Sequence, residues 1–285
     1  MQSEPFVIAV FHQKGGVGKT TTVIQLAACR IAKDQHQKTL LIDLDPSGSL
    51  TTGLGISASS KLSVVDVLLG NLQVDEVVKP TKYPRLYILP SHPDLALASK
   101  YLYTRPNYYS ILKDALNRSR LEESWGRMNQ RVQLKRELPQ SDLVGPPWIL
   151  IDCPPMISPI NIVALTAAKL LLIPIQTEAY SIKALDGVFR LIEAVRKETN
   201  PALDYRLFVN MYDEKSKLQN RLLENIRNKF GEYVLDTVVG YEPKIEYAQM
   251  AAEPLFAIST NCLVAQNFIF LAQELNTYAK SRILR

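Results

Sequence analysis

Cysteine is scarce in the 285 residues, and Cys29, Cys153 and Cys262 are too far apart to form a disulfide framework or a CxxC metal site. That pattern sets aside the small disulfide-stapled classes and fits a reducing cytoplasm. Histidine is equally sparse: His12, His36 and His92 have no metal-ligand spacing, and His12 reads as a loop or packing residue rather than a base. Long apolar runs are missing as well. The longest nearly uncharged one, residues 170–175, is far short of the about 20 residues that a membrane-spanning helix needs. Met1 to Pro5 shows no basic segment followed by an apolar stretch, so no secretory signal is expected. There is no internal repeat, no Gly/Ser linker and no serine in a nucleophile-elbow context.

What is present is an ordinary globular composition, 47% hydrophobic, with 33 Lys+Arg against 28 Asp+Glu and a net charge of +5. Such a chain can bury a large core without metal or disulfide staples. Its mild basicity permits an anionic partner without requiring one. Short apolar runs recur at residues 6–11, 39–44, 86–89, 148–152, 170–175, 207–210 and 234–239. They are β-branched or Leu-rich with little alternation, the pattern of parallel strands buried on both faces. Amphipathic helical patterns, such as residues 21–33 and 183–198, fill the gaps. Regular β-then-α alternation predicts an α/β fold, a doubly wound, mostly parallel sheet with helices on both faces. A single domain over residues 1–285 is expected, carrying a basic, largely helical insertion at about residues 104–147. Within residues 113–136 of that insertion, seven basic residues stand against three acids, a net +4 out of the chain's +5.

The strongest chemical signal is Lys14-Gly15-Gly16-Val17-Gly18-Lys19-Thr20-Thr21, between the first strand and the first helix. Phosphate binding needs backbone N–H groups converging on its oxygens, and glycines let the chain curl closely enough to supply them. The helix start adds its positive dipole end. Lys19 is placed for the β- and γ-phosphates and the Thr20 hydroxyl for Mg²⁺. The usual G-x-x-x-x-G-K-[ST] pattern is not met, because Gln13 stands where its first Gly belongs. Asp43 and Asp152 each close an apolar strand, on the edge where open α/β sheets bind ligands.

The motif resembles the deviant Walker A loop of the ParA/MinD family of P-loop ATPases. Further segments match in family order. Leu40 to Gly48 resembles the second motif and Ile149 to Pro155 resembles Walker B, while Leu89 to Leu95, Ile173 to Glu178 and Asn210 to Asp213 are similar to the ParA branch, which positions partitioned cargo. The resemblance runs from about Phe6 to Phe256, apart from the basic insertion. It implies ATP and Mg²⁺ as cofactors and a weak ATPase, stimulated by a partner, that sandwiches ATP in a homodimer. Gly15, Gly16, Val17, Gly18, Lys19, Thr20 and Thr21 then hold the phosphates and Asn210 contacts adenine. Thr20, together with Asp152 acting through water, holds the metal. Asp45 supports the metal or the loop, or is a turn residue before Pro46. Asp43 orients the attacking water, and Lys14 reaches across the dimer to the partner's nucleotide.

The family also implies non-specific DNA binding, a ParB-like or other cargo adaptor, and a cytoplasmic, nucleoid-associated location. Lys215 and Lys244 align with the family's basic DNA-binding positions. In the insertion, Arg127, Arg131 and Lys135 fall beside an apolar stripe of Leu121, Trp125, Met128 and Val132, which makes them further DNA candidates. Gly240-Tyr241 departs from the family's usual Pro-Arg, so base contacts there are open. Two rival readings are a MinD-like membrane-associated ATPase and an iron–sulfur carrier. The first needs a bulky apolar face on a terminal amphipathic helix, but residues 271–285 read as a docking helix with a basic end. The second needs a CxxC that is absent.

Overall fold

The computed structural model describes residues 4–33, 38–59, 61–119, 145–178, 181–259 and 262–283. The apolar runs become strands β1 (Phe6–Val10), β2 (Thr39–Asp43), β4 (Leu86–Leu89), β5 (Trp148–Asp152), β6 (Leu170–Ile175), β7 (Asp204–Tyr212) and β8 (Val234–Gly240). A two-residue strand, β3 (Lys79–Pro80), pairs antiparallel with β4. The apolar runs give no sign of it, because it is too short to carry a period and contains a proline, tolerated at a sheet edge where no ladder donor is needed. The sheet order is β3-β4-β2-β5-β1-β6-β7-β8, and every neighbouring pair except β3–β4 is parallel. β7 extends beyond the expected residues 207–210, since Tyr205 and Arg206 continue its pairing with β6 although they are only partly buried.

Alternate residues of each inner strand feed two cores. Phe6, Ile8 and Val10 of β1 pack with Val23, Leu26 and Phe268 on one face, while Val7 and Ala9 pack with Leu95, Ile160 and Val188 on the other. Burial of both faces explains why these strands show no polar alternation. The first face is covered by the helix Lys19–Lys33 and the terminal helix Leu263–Ile283, which pack on each other. The terminal helix buries Val264, Phe268, Leu271, Leu275 and Ala279 at helical spacing, so its apolar stripe is spent on the body of the protein. The second face carries the helices Val64–Leu69, Leu95–Leu102, Ile111–Arg118, Pro159–Ala167 and Asp186–Glu198.

In the segment expected to be a basic insertion, the helix Ile111–Arg118 seats Leu112 and Ala115 in the core. Arg127, Arg131 and Lys135, with the apolar stripe beside them, lie outside the described residues. All three cysteines are buried. Among the described residues no helix is long and apolar enough to cross a membrane, and no group of three or more His, Cys, Asp or Glu is placed to hold a metal ion.

Candidate functional site

Parallel register brings the two strand-end aspartates together. Asp43 pairs with Asp152 across β2–β5, and Val10 pairs with Asp152 across β1–β5. The loop leaving β1 therefore starts beside both carboxylates. Gly16 and Gly18 take φ of 75° and 87°, the left-handed region that glycine adopts without steric cost. A Cβ on Gly18 would also collide with the Asn210 amide, whose Nδ2 donates to the Val17 carbonyl at 2.8 Å. Asn210, at the end of β7, thus braces the loop 193 residues earlier in the chain.

The helix begins at Lys19, two residues earlier than its apolar pattern suggests, so that Lys19 and Thr20 belong to its first turn. The Lys19 ammonium is buried and donates to the Lys14 carbonyl at 3.1 Å. Burial lowers its pKa, against the opposing charges of Asp152 and Asp45. The Thr20 hydroxyl donates to Asp152 Oδ2 at 2.6 Å, while Asp152 Oδ1 is buried with no hydrogen-bond partner. Burial, then the Asp43 charge, pushes the Asp152 carboxyl well above the usual carboxylate range. An orphaned carboxylate oxygen beside a threonine hydroxyl is a hard oxygen donor set, the kind that suits Mg²⁺.

Asp43 is fully buried and better satisfied. Its Oδ2 accepts from the Thr51 N–H and hydroxyl at 2.8 and 2.7 Å, and its Oδ1 accepts from the Asp45 N–H at 3.1 Å. Burial still raises its pKa to about 6, with the Asp45 charge adding to the effect and the hydrogen bonds opposing it. Three of about four lone-pair directions are used, which leaves one acceptor position. Asp45 turns the next segment, with Oδ1 accepting from the Ser47 N–H and its carbonyl accepting from the Ser91 hydroxyl. His12 acts as a brace: its Nδ1 accepts from the Lys14 N–H at 2.8 Å. Burial, together with the Lys19 and Lys14 cations, pushes its pKa down to about 4 and keeps it neutral.

Of these groups, Lys19, Thr20, Asp45 and Asn210 line a cavity of about 730 Å³, together with Gly15, Gly16, Gly18 and Thr21 of the loop and with Gly240, Tyr241, Glu242 and Gln249; Asp43 and Asp152 lie buried behind them. The Gly240-Tyr241 departure therefore sits on the cavity wall, where the Asn267 side chain accepts from the Gly240 N–H at 3.2 Å. Lys215 and Lys244 are both exposed, following β7 and opening the helix Lys244–Met250 respectively.

Sequence reasoning assigned no role to Thr51, Gln176, Glu178, Met211 or Gln249. Gln249 donates to the Thr21 hydroxyl at 2.9 Å. Lys14 donates to Gln176 Oε1 at 2.8 Å and pairs with Glu178 at 2.6 Å. Gln176 and Glu178 were visible within a motif, whereas nothing local announced the left-handed φ of 56° at Met211.

The family model described as an AAA domain matches residues 6–124 and 126–205. The chain is 31% identical over 286 residues to the chromosome partitioning protein ParA of Caulobacter vibrioides, covering 99% of this chain and 98% of that protein. It is 29% identical to the sporulation initiation inhibitor protein Soj of Bacillus subtilis, covering 94% of this chain and 97% of Soj. Among solved structures, cobyrinic acid a,c-diamide synthase of Mycobacterium smegmatis with ADP and magnesium superposes with a TM-score of 0.76 at 27% identity, covering 98% of this chain and 96% of that one. An ATP complex of McdA from Cyanothece gives a TM-score of 0.78 at 18% identity, covering 96% of this chain and 97% of that one, a likeness of fold alone. Near-complete coverage by ParA proteins, together with a glycine loop and Thr20 on one cavity and two strand-end aspartates paired beside them, means that the chain belongs to the ParA family of P-loop partitioning ATPases.

Proposed function

We propose that this protein is an ATP-dependent dimerising ATPase that binds DNA without sequence preference and positions cargo through an adaptor. The observation that carries the reading is the pair of lysines in one glycine loop, with Lys19 buried beside Asp152 and the Lys14 side chain 40% exposed. One active site has little use for two cations on one phosphate group, so the exposed one serves a second protomer. The nucleotide is ATP with Mg²⁺, a reading supported by the donor set at Thr20 and Asp152 and by the solved relatives that carry ADP with magnesium or ATP.

In this reading the loop N–H groups of Gly15 to Thr21 and the Lys19 ammonium bind the phosphates. Thr20 and Asp152, the latter through water, hold Mg²⁺, which when bound neutralises charge on the β- and γ-phosphates. Asp45 supports that side of the loop. Asp43 uses its remaining acceptor position to orient the attacking water. Lys14 of the other protomer stabilises charge developing on the transferred phosphoryl group, the role an arginine finger plays elsewhere. Asn210, with one amide hydrogen held by the Val17 carbonyl, meets the base edge through its second amide hydrogen and its Oδ1. Lys215, Lys244 and the insertion residues Arg127, Arg131 and Lys135 supply the phosphate contacts to DNA.

Lys14→Ala separates these roles. It should keep nucleotide binding, because Lys19 and the backbone cradle remain, and lose both hydrolysis and the dimer. Wild-type turnover in that variant would sink the reading. Asp43→Ala should instead accumulate as an ATP-bound dimer visible by light scattering, and rapid phosphate release would move the water-orienting role to another group. DNA binding should weaken with salt by a slope of about 0.9 per phosphate neutralised. Arg127, Arg131 and Lys135 changed together to Gln should flatten that slope by about one for each phosphate left unneutralised. An unchanged slope would assign DNA binding to Lys215 and Lys244.

A further inference from the structure

Lys14 is not a free cation. Its ammonium donates to Gln176 Oε1 at 2.8 Å and to Glu178 Oε2 at 2.6 Å, so two of its three donors are occupied within its own chain. Gln176 is itself held in place, its Nε2 donating to the Met211 sulfur at 2.9 Å. Met211 follows Asn210, whose side chain braces the loop at Val17. The two acceptors thus stand on the segment after β6, fastened to the end of β7, and face the loop after β1.

The Lys14 and Glu178 side chains are 40% and 55% exposed, and the contacts that hold the lysine there are the ion pair and the hydrogen bond to Gln176. We propose that Glu178 and Gln176 are positioning residues that park Lys14 on its own subunit. Formation of the two-nucleotide dimer is then an exchange, in which Lys14 leaves a carboxylate and an amide for a phosphate of the partner's nucleotide. The inference rests on the trans role of Lys14 given under Proposed function. It adds a threshold: the parked state opposes assembly until the phosphate of a bound nucleotide outcompetes Glu178. A solvent-exposed pair of this kind shifts an equilibrium by about two- to fivefold.

The test is sedimentation equilibrium of the full chain with Mg²⁺ and a non-hydrolysable ATP analogue, at several salt concentrations. Glu178→Gln should lower the dimerisation midpoint about two- to fivefold, and the difference from wild type should shrink as salt rises. Glu178→Asp, which restores the charge, should move the midpoint back toward the wild-type value. Gln176→Glu adds a second carboxylate to the parking site and should raise the midpoint. It keeps the question decidable if Glu178→Gln folds poorly. A midpoint that is unchanged or raised in Glu178→Gln, or lowered in Gln176→Glu, overturns the parking role. If Lys14→Ala still abolishes the dimer in that case, the trans lysine stands without its tether. If Lys14→Ala dimerises like wild type, the trans role has failed and the tether falls with it.

Discussion

Two aspartates of one sheet, Asp152 at the carboxyl end of β5 and Asp204 at the amino end of β7, are both largely withdrawn from water, at 1% and 9% exposure. Their surroundings are opposite. Asp204 accepts from the Tyr278 hydroxyl, from Arg282 and from its neighbour's N–H at 2.8 Å, and it pairs with Arg206 at 3.2 Å. The Arg206 guanidinium also lies 4.7 Å over the Tyr278 ring, which locks the terminal helix to the sheet. Burial alone would raise the Asp204 carboxyl, yet these donors outweigh it and hold the pKa below the ordinary value. Asp152 has a single hydroxyl donor, an orphan oxygen and a second carboxylate beside it in the register. A buried carboxylate matched by the protein's own cations holds the structure together. One whose nearby cation, here Lys19, is outweighed by burial and by a second carboxylate is destabilising until a ligand supplies more positive charge.

The largest effect should come from removing the Asp152 carboxylate. Asp152→Asn should slow phosphate release by about a hundredfold or more, since the metal site loses its carboxylate. The same change should raise the nucleotide-free melting temperature, because burial and the Asp43 charge disfavour the ionised carboxylate by more than Lys19 favours it, and erase the added stabilisation by Mg²⁺ with ATP. A nucleotide-free protein less stable than wild type would break the comparison. The matched aspartate should behave the other way. Asp204→Asn should cost about 1–3 kcal/mol of stability, read by denaturant unfolding, and leave turnover per folded molecule unchanged.

Titration sharpens the contrast, because the signs differ. Asp204, with a lowered folded pKa, contributes stability that is present above the ordinary aspartate value of about 4 and lost as the pH falls through its folded value. Asp43, raised to about 6, contributes stability that is present below the ordinary value and lost as the pH rises through about 6. In nucleotide-free unfolding, Asp43→Asn should therefore gain on wild type as the pH rises from about 4 to about 8, whatever it costs in bonding to Thr51. A gap that does not change with pH would show that burial is not acting on Asp43. The smallest effect is expected at Arg282→Lys, which keeps the charge but loses the planar fork. It should lower stability by less than about 1 kcal/mol, resolvable in the unfolding midpoint.

Much of this architecture is written locally. The inner strands are buried on both faces, so they appear as uninterrupted apolar runs, and Asp43 and Asp152 stand out because each closes one. The glycine loop is legible because left-handed φ at Gly16 and Gly18 calls for glycine, whereas the terminal helix was legible only in part, its expected residues 271–285 missing the turns that begin at Leu263. Strand ends were less legible: Tyr205 and Arg206 extend β7 through pairing with β6 rather than through apolar character.

What only the tertiary structure decided is which of these groups meet. Periodicity and turn chemistry act over a few residues, whereas the strand order is set by crossovers that skip along the chain. Lys14 meets Gln176 and Glu178 across 162 and 164 residues because β1 and β6 are neighbours. Asp43 meets Asp152 because β5 inserts between β2 and β1. Asp204 is caged because the terminal helix returns Tyr278 and Arg282 to the start of β7. The residue types and their local conformations follow from the sequence by itself, but the charge balance around each buried carboxylate depends on partners that only packing brings within reach.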